Sequence, residues 1–195
     1  MFVDNIRIFA RAGKGGNGLV SFRRAKFVPK GGPDGGDGGD GGSVILEVDP
    51  HTNDLRSFFY DPKLIATDGV GGQSAKKHGK NGKSVIGKVP PGTIIYRSNA
   101  SSMAEATWLE REGEGIELEK IADLTEIGTR FTLCQGGLGG KGNWHFRSAT
   151  NQAPTEAEMG TEGEEGVFFM ELRRIADAGL VGYPLSLIHI SEPTR

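Results

Sequence analysis

Residues 31–42 read GGPDGGDGGDGG, and this segment constrains the fold more than any other. Gly32, Gly35, Gly38 and Gly41 stand in one register, and Gly36, Gly39 and Gly42 stand in the next. A period of three matches the three residues per turn of polyproline II, a helix without internal hydrogen bonds. Two glycine stripes let such helices lie side by side, with backbones close enough to bond one another. Collagen uses the same steric logic but needs many more triplets and more proline. The other reading is a flexible linker, the usual state of a glycine run. Related segments recur at 12–18 (AGKGGNG), within 69–92, and at 136–143 (GGLGGKGN), where Gly137, Gly139 and Gly140 are further packing candidates. In all, 32 of the 195 residues are glycine, more than twice the ordinary share of about 7%.

Between these segments lie short strand-like runs: 2–11, 43–49, 55–61, 93–97, and two around a turn at Glu126–Gly128 within 121–135. Residues 168–182 are apolar enough for a buried strand or a short helix, and 98–115 reads as an acidic, helix-forming or loose insertion. Sustained helical periodicity is almost lacking. The expected class is mainly β. At 20.8 kDa the chain suits one domain plus a fragment. No apolar run approaches the roughly 20 residues a membrane helix needs. The start lacks the long apolar core of a signal peptide. The single cysteine, Cys134, has no partner for a disulfide and no metal-type spacing, which suits a reducing compartment.

Catalytic motifs fail on inspection. Gly13, Gly15 and Gly18 match G-x-G-x-x-G, as do Gly137, Gly139 and Gly142. The dinucleotide fingerprint needs a helix directly afterwards, whereas LVSFRR and NWHFRSAT follow here. Gly82-Lys83-Ser84 resembles the end of a P-loop, but Lys77 stands where its first glycine belongs. Calcium-binding β-helix repeats need a large apolar residue after each turn, which the 31–42 run lacks. His51, His78 and His145 are isolated, and no nucleophile elbow is present.

Charge is distributed unevenly. The net charge is −2, but residues 1–92 carry 14 Lys and Arg against 9 Asp and Glu, and residues 93–195 carry 9 against 16. Lys14, Arg23, Arg24, Lys26, Lys30, Lys76, Lys77, Lys80, Lys83, Lys141 and Arg147 all fall in or beside the glycine clusters. If the clusters project together, their tips are narrow and cationic, suited to close approach of a phosphate backbone. His78, Phe22, Phe27 and Trp144 are available to stack on unpaired bases, although core packing is the ordinary role of the two Phe. A solvated surface is the plain alternative for the charges.

Residues 2–46, from FVDNIRIFARAGKGGNG to GGSVIL, closely resemble the opening of Obg-family large GTPases. KVPPGTIIY (88–96), ADLTEIG (122–128), GGLGGKGN (136–143), TNQAPTEAEMGTEGEEG (150–166) and LRRIADAGLVGYP (172–184) follow in the family's order. The resemblance implies a β-structured base from which six left-handed, glycine-rich polyproline II helices project. It further implies a cytoplasmic, monomeric, membrane-free ribosome-binding domain whose parent carries a GTPase domain using GTP and Mg2+. Its partners would be the large ribosomal subunit and its RNA, in subunit assembly linked to growth and stress control. In the family the tip reaches toward the peptidyl-transferase region, into space used by transfer RNA.

The expected organisation is an Obg domain at 1–166, the start of a GTPase domain at 167–184, and a non-native tail at 185–195. The segment 98–115 looks longer than the family's usual connection. Gly182 would be the first P-loop glycine, but LSLIHISEPTR follows instead of Asn-Ala-Gly-Lys-Ser and resembles translated sequencing adapter. No complete nucleotide site, catalytic residue, metal ligand or cofactor is therefore expected in this chain itself. The alternative function is a protein–protein module without an RNA role, with regulatory proteins engaging the acidic strip 154–166.

Overall fold

The computed structural model describes residues 3–24, 26, 31–100, 103–106 and 117–173. Lys30, Phe27, Gly182, the 185–195 tail and most of the 98–115 segment lie outside the described residues.

The base is mainly β, built of two sheets. One has five strands in the order β3-β1-β8-β5-β6: Lys63–Ile65, Asn5–Arg11, Glu165–Leu172, Thr93–Ser98 and Leu118–Leu124. The other has three, β4-β2-β7: Val85–Val89, Val44–Val48 and Arg130–Cys134. β1 with β3 and β2 with β4 run parallel; the remaining pairs are antiparallel. Alternation in β1 sends Ile8 and Ala10 inward, and alternation in β2 sends Val44, Leu46 and Val48 inward. They meet Ile95, Phe168 and Met170 in one apolar cluster shared by the sheets.

Two expectations change. Residues 55–61, grouped above with the strand-like runs, instead contain a one-turn helix, α1 (Arg56–Tyr60). A strand would place Arg56, Phe58 and Tyr60 on one face. The helical turn buries Leu55 and Phe58 three residues apart while Arg56 and Tyr60 stay in water. The boundary expected after residue 166 falls inside β8. That strand pairs with β1 on one side and β5 on the other through Leu172. Residues 121–135 do form two strands around a turn, with Gly128 at φ +82°, but β6 and β7 join different sheets.

Six strands adjoin six glycine-bearing segments: 12–19, 35–42, 66–73, 77–84, 135–142 and 158–164, here numbered first to sixth; β1, β3 and β7 lead into the first, third and fifth, and the second, fourth and sixth lead into β2, β4 and β8. Their hydrogen bonds recur every third residue. Gly13, Gly16 and Leu19 N–H groups donate to the carbonyls of Gly42, Gly39 and Gly36 at 2.8–3.1 Å. Ala12, Gly15 and Gly18 donate to Glu164, Thr161 and Glu158. Gly36, Gly39 and Gly42 donate in turn to Gln73, Val70 and Thr67. The first, third and fifth segments run one way and the other three run back. The first and second lie at the centre, each bonded to four neighbours.

Close approach, not unusual backbone angles, is what requires glycine here. Among the described residues only Gly92 and Gly128 are glycines with positive φ. A Cβ at Gly35, Gly36, Gly38, Gly39, Gly41, Gly42, Gly137, Gly139 or Gly140 would overlap a neighbouring segment's carbonyl. Gly32 is different: nothing stands within 4 Å of its Cβ position, so it is not a packing glycine.

Candidate nucleic-acid interface

A segment outside sheet and α-helix must have each of its N–H groups satisfied by a neighbour or by water. The fifth segment shows how this is done. Gly137, Gly140 and Asn143 N–H groups donate to backbone carbonyls of Gly13, Gly16 and Leu19. Gly136, Gly139 and Gly142 donate to Ser43 Oγ, Asp40 Oδ1 and Asp37 Oδ1 at 2.7–3.0 Å. Gln135, Leu138 and Lys141 donate to Glu164 Oε2, Thr161 Oγ1 and Glu158 Oε2. All nine donors are met. The carboxylates of the DGGDGGD run and of the 158–164 strip are thus acceptors for a neighbouring backbone. Sequence reasoning missed this role, although the three-residue spacing of Asp37 with Asp40, and of Glu158, Thr161 and Glu164, carried the signal.

The segments connect to one another, in pairs, at the end away from the sheets: residues 19–24, 26, 31–35, 73–77 and 142–158 are the described residues of this tip. Asn143, fully buried, ties it together. Its Oδ1 accepts from Gly35 N–H, and its Nδ2 donates to the carbonyls of Ser21 and Pro154. A short 3-10 helix, Asn143–Phe146, follows and presents Trp144 and His145. Asp37 Oδ2 lies 2.7 Å from His145 Nε2 and 3.4 Å from His78 Nδ1. Burial pushes the Asp37 pKa up, but the Gly142 N–H and the two histidines outweigh it, and the carboxyl ends below its ordinary value.

The structure sorts the candidate cations. Arg23, Arg24, Lys26, Lys76, Lys77 and Arg147 lie in the tip connections. Arg23 and Arg24 line a cleft of about 740 Å³ with Val20, Asp34 and the Ser74–Ala75 turn. Ala75 and Lys76 take left-handed φ values of 61° and 56°, and Asp34 holds both N–H groups. His78 and Lys141 sit one step toward the sheets, with Lys141 Nζ 4.0 Å from Glu158. Lys80 lies midway along the fourth segment. Lys14 and Lys83 are at the sheet end, far from the tip. Lys14 is ion-paired to Glu162, and the Lys83 N–H donates to Thr67 Oγ1.

Other chemistry finds little footing. Cys134 is buried with its Sγ 3.8 Å from the Ala10 carbonyl, and burial first, then Glu164, pushes its thiol up to about 12. Such a thiol is not a nucleophile near neutral pH. Among the described residues no group of three or more His, Cys, Asp and Glu is placed to hold a metal ion. None of the described helices is long and apolar enough to cross a membrane.

The profile of the GTP1/OBG family matches residues 3–174. A protein named GTPase Obg from Methylacidiphilum infernorum is 49% identical over 188 residues, covering 95% of this chain and 52% of that protein. The GTPase Obg of Chlorobium chlorochromatii is 50% identical, covering 94% of this chain and 49% of its own length. That of Geobacillus kaustophilus is 46% identical, with 99% and 42% covered. The chain spans about half the length of the curated relatives it matches. With the family profile matching most of its length, the chain belongs to the GTP1/OBG family.

Proposed function

We propose that this chain is the N-terminal, RNA-facing domain of an Obg-like GTP-binding protein of the cytoplasm, and that it docks on the large ribosomal subunit during assembly. The observation that carries the reading is the gathering of Arg23, Arg24, Lys26, Lys76, Lys77 and Arg147 at one end of a narrow bundle. Cations on a projecting tip meet the phosphates of a groove before the rest of the surface does. The remaining half of the relatives' length carries the GTP and Mg2+ chemistry in this reading. Residues 172–184 would be the approach to that unit, and 185–195 would be foreign to it.

The test compares two charge-removal variants in large-subunit binding over a range of salt. Replacing Arg23, Arg24, Lys76 and Lys77 by Ala should weaken binding and flatten the salt dependence. For every phosphate no longer neutralised, the log–log slope should become shallower by about 0.7–0.9. Replacing Lys14 and Lys83, at the sheet end, should leave the slope near that of the native chain. Equal behaviour of the two variants, or retention that survives nuclease treatment, would replace this reading with a protein–protein module.

A further inference from the structure

Trp144 is an odd residue for its surroundings. It sits half-exposed on the 3-10 turn at the tip and belongs to neither apolar cluster of the molecule. Its neighbours are polar: the His145 ring at 3.9 Å between centroids, and the Lys76 ammonium 4.9 Å from the ring centroid. Both neighbours are held from behind. His145 is fixed by Asp37, whose other oxygen takes the Gly142 N–H, and Lys76 is presented by a left-handed turn bonded to Asp34. Left-handed backbone at a non-glycine residue is strained and persists where the surroundings impose it.

We propose that Trp144 is the seat for one unpaired RNA base, a specific contact that rests on the RNA reading above. The Lys76 ammonium, on a flexible stem over the indole, is readily displaced, because the cation–π contact is modest at an exposed site. A base then takes the ammonium's place on the indole, and Lys76 turns to the neighbouring phosphate. Stacking of this kind accepts any base, since every base has a π-face. Duplex RNA, whose bases are already stacked, gains nothing from it.

The chain has two tryptophans, so Trp108→Phe leaves Trp144 as the sole indole reporter. In that background, a short single-stranded RNA should quench the fluorescence, and a fully paired duplex of the same sequence should not. Trp144→Ala should lose roughly tenfold or more in single-strand affinity with the salt slope unchanged, in the range of one base–aromatic stack. Trp144→Phe should keep most of the affinity. Native single-strand affinity in Trp144→Ala, or the same loss toward duplex, overturns the seat while leaving the RNA reading standing. If the native chain binds neither RNA nor the large subunit, both fall together. Should Trp144→Ala not fold, quenching in the Trp108→Phe chain decides alone.

Discussion

The sheets and the glycine bundle are two solutions to the same problem of holding a chain in place, and they share almost no means. In the base, Ile8, Leu46, Ile95, Phe168 and Met170 are removed from water, and the hydrophobic effect is the main stabilising term. In the bundle the contacts are between backbones and the polar side chains that accept from their N–H groups, because the side chain that would have packed is a hydrogen atom. Its stability therefore depends on completing hydrogen bonds, three registers of them, and a bond left unmade in the interior costs more than a made one contributes. The base can lose a methyl group and settle around the gap. The bundle has no such slack, since an added methyl group meets a carbonyl oxygen of the next segment.

The largest effect should come from the base. Phe168 is 2% exposed and packs where the sheets meet. Phe168→Ala should lower the unfolding free energy by about 4 kcal/mol, from the transfer and cavity terms together. Urea denaturation measures it, and a loss below about 1 kcal/mol would mean the apolar cluster is not what holds the base. Next comes Gly38→Ala, whose Cβ would overlap the Gly16 carbonyl at the centre of the bundle. Backbone is on both sides, so the two central segments must part, and a loss of about 3 kcal/mol is expected. Hydrogen exchange adds the sharper test. Gly38→Ala should deprotect the Gly16 and Gly140 N–H groups before those of β1 and β8. Uniform deprotection would show that base and bundle open as one unit.

A smaller effect separates the two regions by pH. Asp37 has a folded pKa below its ordinary value, so its contribution is fully present above the unfolded value, near 4, and is lost as pH falls through the folded one. Asp37→Asn keeps an oxygen for the Gly142 N–H but no titrating group, so it should lack that part of the acid loss. The stability difference between native chain and variant should accordingly shrink on acidification below about pH 4. A constant difference from neutral to acid pH would mean that the carboxylate's charge adds nothing to the tip. The base offers the contrast: Lys88 and Asp49 also pair, but the Lys88 side chain is exposed, and Lys88→Ala should leave the melting temperature nearly unchanged.

The two regions were also unequally legible. Alternation in 2–11 and strand-like composition in 43–49 and 93–97 revealed β1, β2 and β5. The same strand-like composition misled at 55–61, where Arg56 and Tyr60 are exposed and a helical turn buries Leu55 with Phe58. The period of three in 31–42 revealed the bundle's repeat. What it could not reveal was the partner of each glycine, since the facing carbonyls come from segments as far away as residue 140. For the same reason the backbone-accepting role of Asp37 and Asp40 was not legible in the sequence. The cationic tip was legible only as a set of charges without positions. Which lysines lie at the tip and which, like Lys14 and Lys83, lie at the sheet end depends on the direction each segment runs.

Gly32 makes the point at one residue and gives the smallest expected effect. By spacing it belongs with Gly35, Gly38 and Gly41, and nothing in the sequence sets it apart. In the structure it sits where the tip connection enters the second segment, with open space at its Cβ position and no left-handed φ. Its carbonyl accepts the Arg23 N–H, which an alanine leaves intact. Gly32→Ala should therefore change the unfolding free energy by no more than about 1 kcal/mol, in the stabilising direction, by restricting the unfolded chain. The same substitution three residues on, Gly35→Ala, meets the Leu19 carbonyl and Asn143 Oδ1 and should be clearly destabilising. If the two alanines cost the same, the periodic glycines serve the chain's flexibility rather than the close approach of its segments.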